Sequence, residues 1–333
     1  MNKTVLLTVT GAVSADIVIK SLKRMGFRIV GCDSHPKEWI VGSNSVDCFY
    51  QAPLITENEK YLEFIKNICT VEKIDFIFPM IDIEVDLFSE NREWFDSHGV
   101  ALCICGKESI RILRNKKVLA DFIKNNYPEI KYIPTEYIKD TNRLEWRFPV
   151  VCKPCNGRSS QGLRYIYSES EWENLKKTVN ISNYIVEPYI DGPIVMVEIV
   201  RQPNTKKVVA MTRRELMSTP HGLSTTVYIY QDKSLEERCK VLADKLNIIG
   251  NVNFEFILDN EGIYHFVECN PRFSAGCEFS CMGGYDIVEN HIKCFMNLEI
   301  EDYNFKHNMV IARHYEEVIT SAYKEEKYCK TYH

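Results

Sequence analysis

Residues 253–276 read NFEFILDNEGIYHFVECNPRFSAG. Two apolar-rich runs, 254–258 and 263–267, flank Asp259-Asn260-Glu261-Gly262, a turn-forming cluster, and the pattern predicts a β-hairpin. Side chains on a strand share a face at every second residue, so Glu268 and Asn270 point the same way. Glu255, on the partner strand, can be brought opposite them. Two carboxylates and an amide carbonyl converging on one spot form a hard-oxygen set suited to Mg²⁺ held against phosphates. Arg272 follows Pro271 at the strand's end, where its planar fork of donors can meet an anionic oxygen. A strand carboxylate is most often simply solvated. Glu268 resists that reading because it follows the apolar pair Phe266-Val267, and an acid there needs a partner or a metal.

At 333 residues the chain can bury a large core and is too long for one small domain, so two or three subdomains are expected. Net charge is −5 with acids and bases intermixed, which argues against nucleic acid as a partner. Thirteen cysteines, an odd number scattered from Cys32 to Cys329, predict a reducing cytoplasm and no disulfide framework. Neither Cys103/Cys105 nor Cys152/Cys155 is completed by a second CxxC or a histidine cluster, so neither is read as a zinc or redox site. The N-terminus imitates a signal peptide, with Lys3, an apolar run over 5–9 and small residues over 12–15. That run is short and interrupted by Thr8 and Thr10, so a first strand is expected instead. No run reaches transmembrane length.

Along the chain, residues 3–10 predict a strand, Ser14 a cap for a helix carrying Ile17, Val18 and Leu22 on one face, and 27–33 a second strand. This βαβ unit predicts a parallel sheet with helices on both sides. Its first loop has one glycine and no GxGxxG, so a structural Rossmann-like domain is expected, not a dinucleotide site. A helix over 57–71 and a strand over 75–79 lead into Met80-Ile81-Asp82-Ile83-Glu84. Acids just past a strand end lie where such sheets bind ligands, although Asp82 reads equally as a helix cap. One helix is expected over 109–124, through Asn115-Lys116-Lys117. The apolar strand 148–153 ends in Lys153, which is costly there unless it meets an anion. Residues 156–162, NGRSSQG, form a loop whose N–H groups and hydroxyls suit a triphosphate. Arg213 and Arg214 close a strand over 208–216 before a polar loop at His221. They read either as solvated or as a wall of the substrate site, pairing a carboxylate bidentately. Helices are expected over 236–246 and 286–295, the latter with a structural His291. A closing strand over 309–319 carries Arg313 and His314 as weaker site candidates.

Phe254-Glu255-Phe256, followed thirteen residues beyond Glu255 by Glu268-Cys269-Asn270-Pro271-Arg272, resembles the metal-binding signature of the ATP-grasp ligases. The resemblance is to single synthetase units of the carbamoyl-phosphate-synthase large chain and to stand-alone carboxylate–amine ligases. It implies that Glu255, Glu268 and Asn270 bind two Mg²⁺ ions, with Mn²⁺ as the alternative, and that Arg272 steadies an acyl phosphate and the tetrahedral state after it. Asn115-Lys116 stands where the family carries Asp-Lys, so Lys116 is the base expected on the ATP phosphates, and Lys153 matches the family's second base, which contacts phosphate or adenine. Gly157, Ser159, Ser160, Gln161 and Gly162 match the mobile lid over ATP. Glu187, Tyr189 and Ile190 match the hinge whose backbone reads adenine. PMIDIE resembles a loop that brings Asp82 and Glu84 toward the substrate, and Arg213 and Glu198 are the other acceptor-site candidates. The acid that usually meets the ribose shortly after Gly192 is missing, with Pro193 and Ile194 in its place.

The implied fold is α/β: a Rossmann-like parallel sheet over 1–106, a small α+β lid subdomain over 107–190, and an α+β metal- and substrate-binding subdomain over 191–333. The nucleotide cleft lies between the last two. The implied activity is an ATP-dependent C–N ligase acting on a small carboxylate and an amine, without nucleic acid or membrane, in a family where homodimers are common. The alternatives are a carbamoyl-phosphate-synthase-like unit phosphorylating bicarbonate, and an ATP-binding protein without turnover.

Overall fold

The computed structural model describes residues 3–141, 144–158, 160–220 and 222–322. Thr4–Leu7 (β1), Arg28–Asp33 (β2), Cys48–Gln51 (β3), Phe76–Phe78 (β4) and Ala101–Leu102 (β5) form a parallel sheet in the order β3-β2-β1-β4-β5. Its central strands are buried on both faces, which is why they read as unbroken apolar runs. Helix Ala15–Arg24 makes the first crossover. Ser14 occupies the capping position, but its backbone is already helical and its hydroxyl makes no capping bond, contrary to expectation.

Where one helix is expected after the sheet there are two, Lys107–Leu113 and Lys116–Asn126. Asn115 breaks the run. It adopts an extended conformation, and its Oδ1 accepts the N–H groups of Lys117 and Val118, both at 3.1 Å. The amide that departs from the usual Asp is thus the N-cap of the second helix.

Lys131–Tyr132 (β6) comes next, then Glu136–Tyr137 (β7), Val150–Pro154 (β8), Arg164–Ile166 (β9) and Tyr184–Pro188 (β10). The last four make an antiparallel sheet, β7-β10-β8-β9. Val150, Cys152 and Val186 pack against Trp172 and Leu175 of helix Glu169–Thr178 in a small core of their own.

Ile194–Arg201 (β11), Val208–Ser218 (β12), Ser224–Tyr230 (β13), Gly250–Leu258 (β14), Tyr264–Asn270 (β15) and Met309–Ala312 (β16) build a seven-stranded sheet ordered β16-β13-β12-β11-β14-β15-β6. β6 pairs parallel with β15 and so belongs to this sheet, although it lies in the segment expected to form the lid. β16 stops at Ala312, short of the strand expected to 319. Alternation gives the large sheet two unlike faces. Val195, Val197, Ile199, Val252, Phe254 and Phe256 pack against Leu235, Cys239 and Leu242 of helix Lys233–Lys245. Phe254 and Phe256 are fully buried, each contributing about 1.5–3 kcal/mol. The opposite face carries Met196, Glu198, Asn253 and Glu255.

Helix Ile287–Phe295 ties the first sheet to the last. Its capping residue Asp286 accepts hydrogen bonds from Ser21 and Arg24. His291 packs among Phe78, Phe273 and Phe295. Its Nδ1 accepts the Asn251 N–H at 2.7 Å and its Nε2 lies 3.1 Å from the Cys103 carbonyl. Burial lowers its pKa to about 3, so it is a neutral staple. Among the described residues, no helix is long and apolar enough to cross a membrane.

Candidate functional site

The small sheet and the polar face of the large sheet enclose a cavity of about 600 Å³. Its floor is the hairpin. β14 and β15 pair so that Glu255 stands opposite Glu268 and Asn253 opposite Asn270. A bulge follows, because Phe256 pairs with Phe266, and the extra residue Val267 joins the cavity wall. Bulges of this kind re-aim side chains beside functional sites.

Burial, and then the charge of Glu268 alongside, push Glu255 up to about 8. Burial acts on Glu268 in the same direction, but Lys116 and then Lys153 outweigh it and hold this carboxyl below its ordinary value. Lys116 opens helix Lys116–Asn126, so the break at Asn115 sets where it stands. Its Nζ lies 3.0 Å from Glu268 Oε2 and 2.9 Å from the Gly157 carbonyl. On β8, Val150 and Cys152 face the small core while Val151 and Lys153 line the cavity. Lys153 Nζ lies 2.7 Å from Glu187 Oε2, and Thr135 donates to Glu187 Oε1 at 3.0 Å. Burial opposes the Lys153 charge, but Glu187, with Glu268 and Glu255 behind it, more than restores it and raises the pKa above the usual lysine value.

At the hinge, Tyr189 donates its backbone N–H to the Pro149 carbonyl at 3.3 Å and its hydroxyl to Asp191 at 3.2 Å. The Tyr189 N–H is thus engaged within the small sheet. Of the lid residues, Gly157, Ser160 and Gln161 line the cavity. Gly162 has φ +75° and packs where a Cβ would come 2.5 Å from the Tyr184 hydroxyl, so glycine is required there. Ser159 lies outside the described residues.

Four acceptor-site candidates are placed elsewhere. Asp82 is neither a cap nor a cavity residue. Ile81 is the N-cap, and Asp82, 1 % exposed, receives Arg272 Nε and Nη2 at 3.0 and 2.7 Å. Glu84 is fully buried among Thr8, Tyr61 and the Met80 N–H, and burial pushes it up to about 7. Arg213 and Glu198 pair with each other beneath the floor, with Ser274 and Ser280 also bonded to the guanidinium and Asn251 and Asn253 to the carboxylate. A guanidinium neutralised this way forms no wall for a free substrate. Arg313 binds the Ala275 carbonyl at 2.8 Å, and His314 is exposed.

Two further charged residues line the cavity, neither of them named individually from the sequence. Arg158 lines the lid side. Glu215 lines the floor beside a second bulge, in β12, and accepts the Ser224 hydroxyl. Val195 pairs with Arg214, so the register carried one step further sets Glu215 beside Ile194.

Among the described residues there is no group of three or more His, Cys, Asp or Glu suited to a metal. A cation here would rest on Glu255, Glu268 and the Asn270 amide. The donor set fits a hard divalent ion: two facing carboxylates, one driven toward its protonated form partly by the other, are what such an ion would relieve. Of the two CxxC thiols, Cys152 lies in the small core and Cys155 contacts Asn183 Oδ1 at 3.0 Å.

The family model described as ATP-grasp in the biosynthetic pathway with Ter operon matches residues 180–318, a segment that holds the hinge, the floor and Arg272. That segment is an ATP-grasp domain. Ahead of that ATP-grasp segment, residues 6–103 match the model described as the PylC-like N-terminal domain. The fold is similar to a biotin carboxylase–βγ-ATP complex from Campylobacter jejuni, with a TM-score of 0.78 and 19 % identity over 93 % of this chain and 75 % of that one. The biotin carboxylase domain of Hydrogenobacter thermophilus 2-oxoglutarate carboxylase, solved with MgADP and bicarbonate, gives 0.77 and 18 % over 94 % and 74 %. N5-carboxyaminoimidazole ribonucleotide synthetase from Thermotoga maritima gives 0.69 and 18 % over 92 % and 79 %.

Proposed function

We propose that this chain is an ATP-dependent ligase that joins a small carboxylate to an amine and releases ADP and phosphate. The observation that carries the reading is the facing pair Glu255 and Glu268, flanked by the Lys116 and Lys153 ammonium groups beneath a loop of phosphate-binding character. In the free protein the two lysines are parked on Glu268 and Glu187. An arriving triphosphate competes for them, and they hold it in line, which is most of what phosphoryl transfer asks of a protein. Two Mg²⁺ ions, or Mn²⁺, held by Glu255, Glu268 and Asn270 would supply positive charge against the β- and γ-phosphates.

Ile133, Val151, Ile194 and Ile257 give the purine an apolar slot, with the Ile190 backbone at its edge. Glu215 and Ser224 take the ribose hydroxyls, supplying from β12 the acid that Ile194 does not. The substrate carboxylate attacks the γ-phosphate, ADP leaves, and an acyl phosphate remains. As the amine attacks, Arg272 donates to the oxygen on which charge develops. The loop over 156–162 closes to keep water from the intermediate.

A second reading takes bicarbonate as the acid, favoured by the bicarbonate bound in one similar structure. Phosphate release from ATP and Mg²⁺, screened against pooled acids and amines, tests both. Release that needs an organic acid and an amine supports the ligase, and release with bicarbonate alone supports the second reading. No release with any pair overturns the proposal.

A further inference from the structure

We infer that Asp82, a residue of the N-terminal parallel-sheet domain, positions Arg272 for the condensation step and, through Arg114, ties that arginine to the base of the lid. The inference rests on the ligase reading of the cavity. Asp82 lies 190 positions before Arg272 in the chain, yet its Oδ2 receives both Arg272 Nε and Nη2, at 3.0 and 2.7 Å. Its other oxygen, Oδ1, lies 3.3 Å from Arg114 Nη1. Arg114 in turn clasps Asp86, one helical turn on, at 2.9 and 3.0 Å, and donates to the Asn156 carbonyl at 3.3 Å. Asn156 is the first residue of the loop over the cavity. One carboxylate is therefore shared between the arginine expected to meet the reacting oxygen and the arginine that holds the lid's first carbonyl.

The direction of the pull matters. Arg272 Nη2 also lies 3.4 Å from Asn270 Oδ1, and Asn270 Nδ2 lies 3.4 Å from Glu268 Oε1. Polar contacts thus run from Asp82 through Arg272 and Asn270 to Glu268. Asp82 draws the guanidinium to the cavity rim, where Nη1 donates to the Phe273 carbonyl at 3.2 Å. Without that charge, the acids left to attract Arg272 are those of the floor, and the arginine would fall toward Glu268. The guanidinium's fixed fork makes its direction depend on which oxygen it grips, so an amide in place of the acid does not reproduce the geometry.

A structural ion pair between domains would, when removed, lower stability and scale every rate together. A positioning role makes a different pattern. Asp82→Asn is expected to lower kcat for the acid–amine pair found in the screen by about 10²-fold, the scale of a 1 Å misplacement. The KM for ATP should stay unchanged, and less amide should form per ADP because the acyl phosphate is lost to water. In the Asp82→Asn/Arg272→Lys double variant, kcat should match that of Arg272→Lys alone. Asp82→Glu keeps the charge and moves it by one methylene. It should melt with the unsubstituted chain while losing about tenfold in kcat, and it serves if the amide variant does not fold. Unchanged kcat and amide-to-ADP ratio in either variant, or full additivity in the double variant, overturns the inference alone. If the unsubstituted chain neither binds ATP nor releases phosphate with any pair, the ligase reading fails first and takes this inference with it.

Discussion

Two pairs of acids, one just past the end of β4 and one within β14 and β15, meet opposite fates. Asp82 and Glu84 follow β4, and each is met by the protein itself: Asp82 by Arg272 and Arg114, Glu84 by Thr8, Tyr61 and a backbone N–H. Glu255 and Glu268 face each other on β14 and β15, with lysines that are themselves suited to phosphate. The first pair is satisfied by partners the protein supplies, one of which, Arg272, also reaches the cavity. The second keeps an internal repulsion that the nearby lysines relieve only in part, since Glu255 stays pushed up to about 8. An acid past a strand end is thus a weak guide to a site, and the supply of protein partners decides between the two outcomes.

Removing charge from the second pair should produce the largest effect. Glu268→Gln is expected to lower phosphate release by about 10³-fold or more, with thermal melting close to that of the unsubstituted chain. Turnover at the native rate would remove the metal assignment. The buried Arg213–Glu198 pair belongs with the first kind of acid, so Arg213→Met should cost stability instead of substrate affinity. Leaving Glu198 uncompensated should lower unfolding free energy by about 3–5 kcal/mol, read by urea denaturation. A raised KM for the acid at native stability would return Arg213 to the substrate wall.

The pH dependence of stability sharpens the contrast further. Glu84 is raised to about 7 in the folded chain and titrates near 4.3 when unfolded, so the folded state holds the extra proton between those values. The stability this proton confers is complete below about pH 4 and is lost as pH rises through 7, by on the order of 3 kcal/mol. Glu84→Gln should flatten that part of the stability curve, and an unaltered curve would contradict the burial argument. The smallest effect is expected at Glu215. Binding of ATP should exceed that of 2′-deoxyATP by about tenfold, the worth of one charge-assisted hydrogen bond. Glu215→Gln should erase the preference while leaving nucleotide binding in place, and calorimetric titration with the two nucleotides reads it.

Much of the floor was legible in the sequence because its signals are local. Glu268 after Phe266-Val267, Lys153 closing an apolar strand and the turn at 259–262 are each apparent within a few residues, and alternation alone puts Glu255 and Asn270 on the cavity side. The parallel sheet was legible for the same reason, from unbroken apolar runs and one βαβ unit. What stayed hidden depends on distant pairing. Nothing near Asp82 announces a guanidinium 190 residues later, and nothing near Glu198 announces that Arg213 will neutralise it across two strands. Asn115 was readable as a departure from a familiar acid, but its capping role appears only when the helix is seen to break there. The bulge that sets Glu215 in the cavity leaves no mark in composition.

On the proposed function, Glu255, Glu268 and Asn270 hold a divalent ion beneath a bound triphosphate. Crystals grown with Mn²⁺ and a non-hydrolysable ATP analogue test it directly through the anomalous signal of manganese. The expected map places the peak among those three side chains, with the analogue's phosphates between it and Lys116 and Lys153. A peak elsewhere, or a nucleotide bound outside this cavity, would contradict the claim.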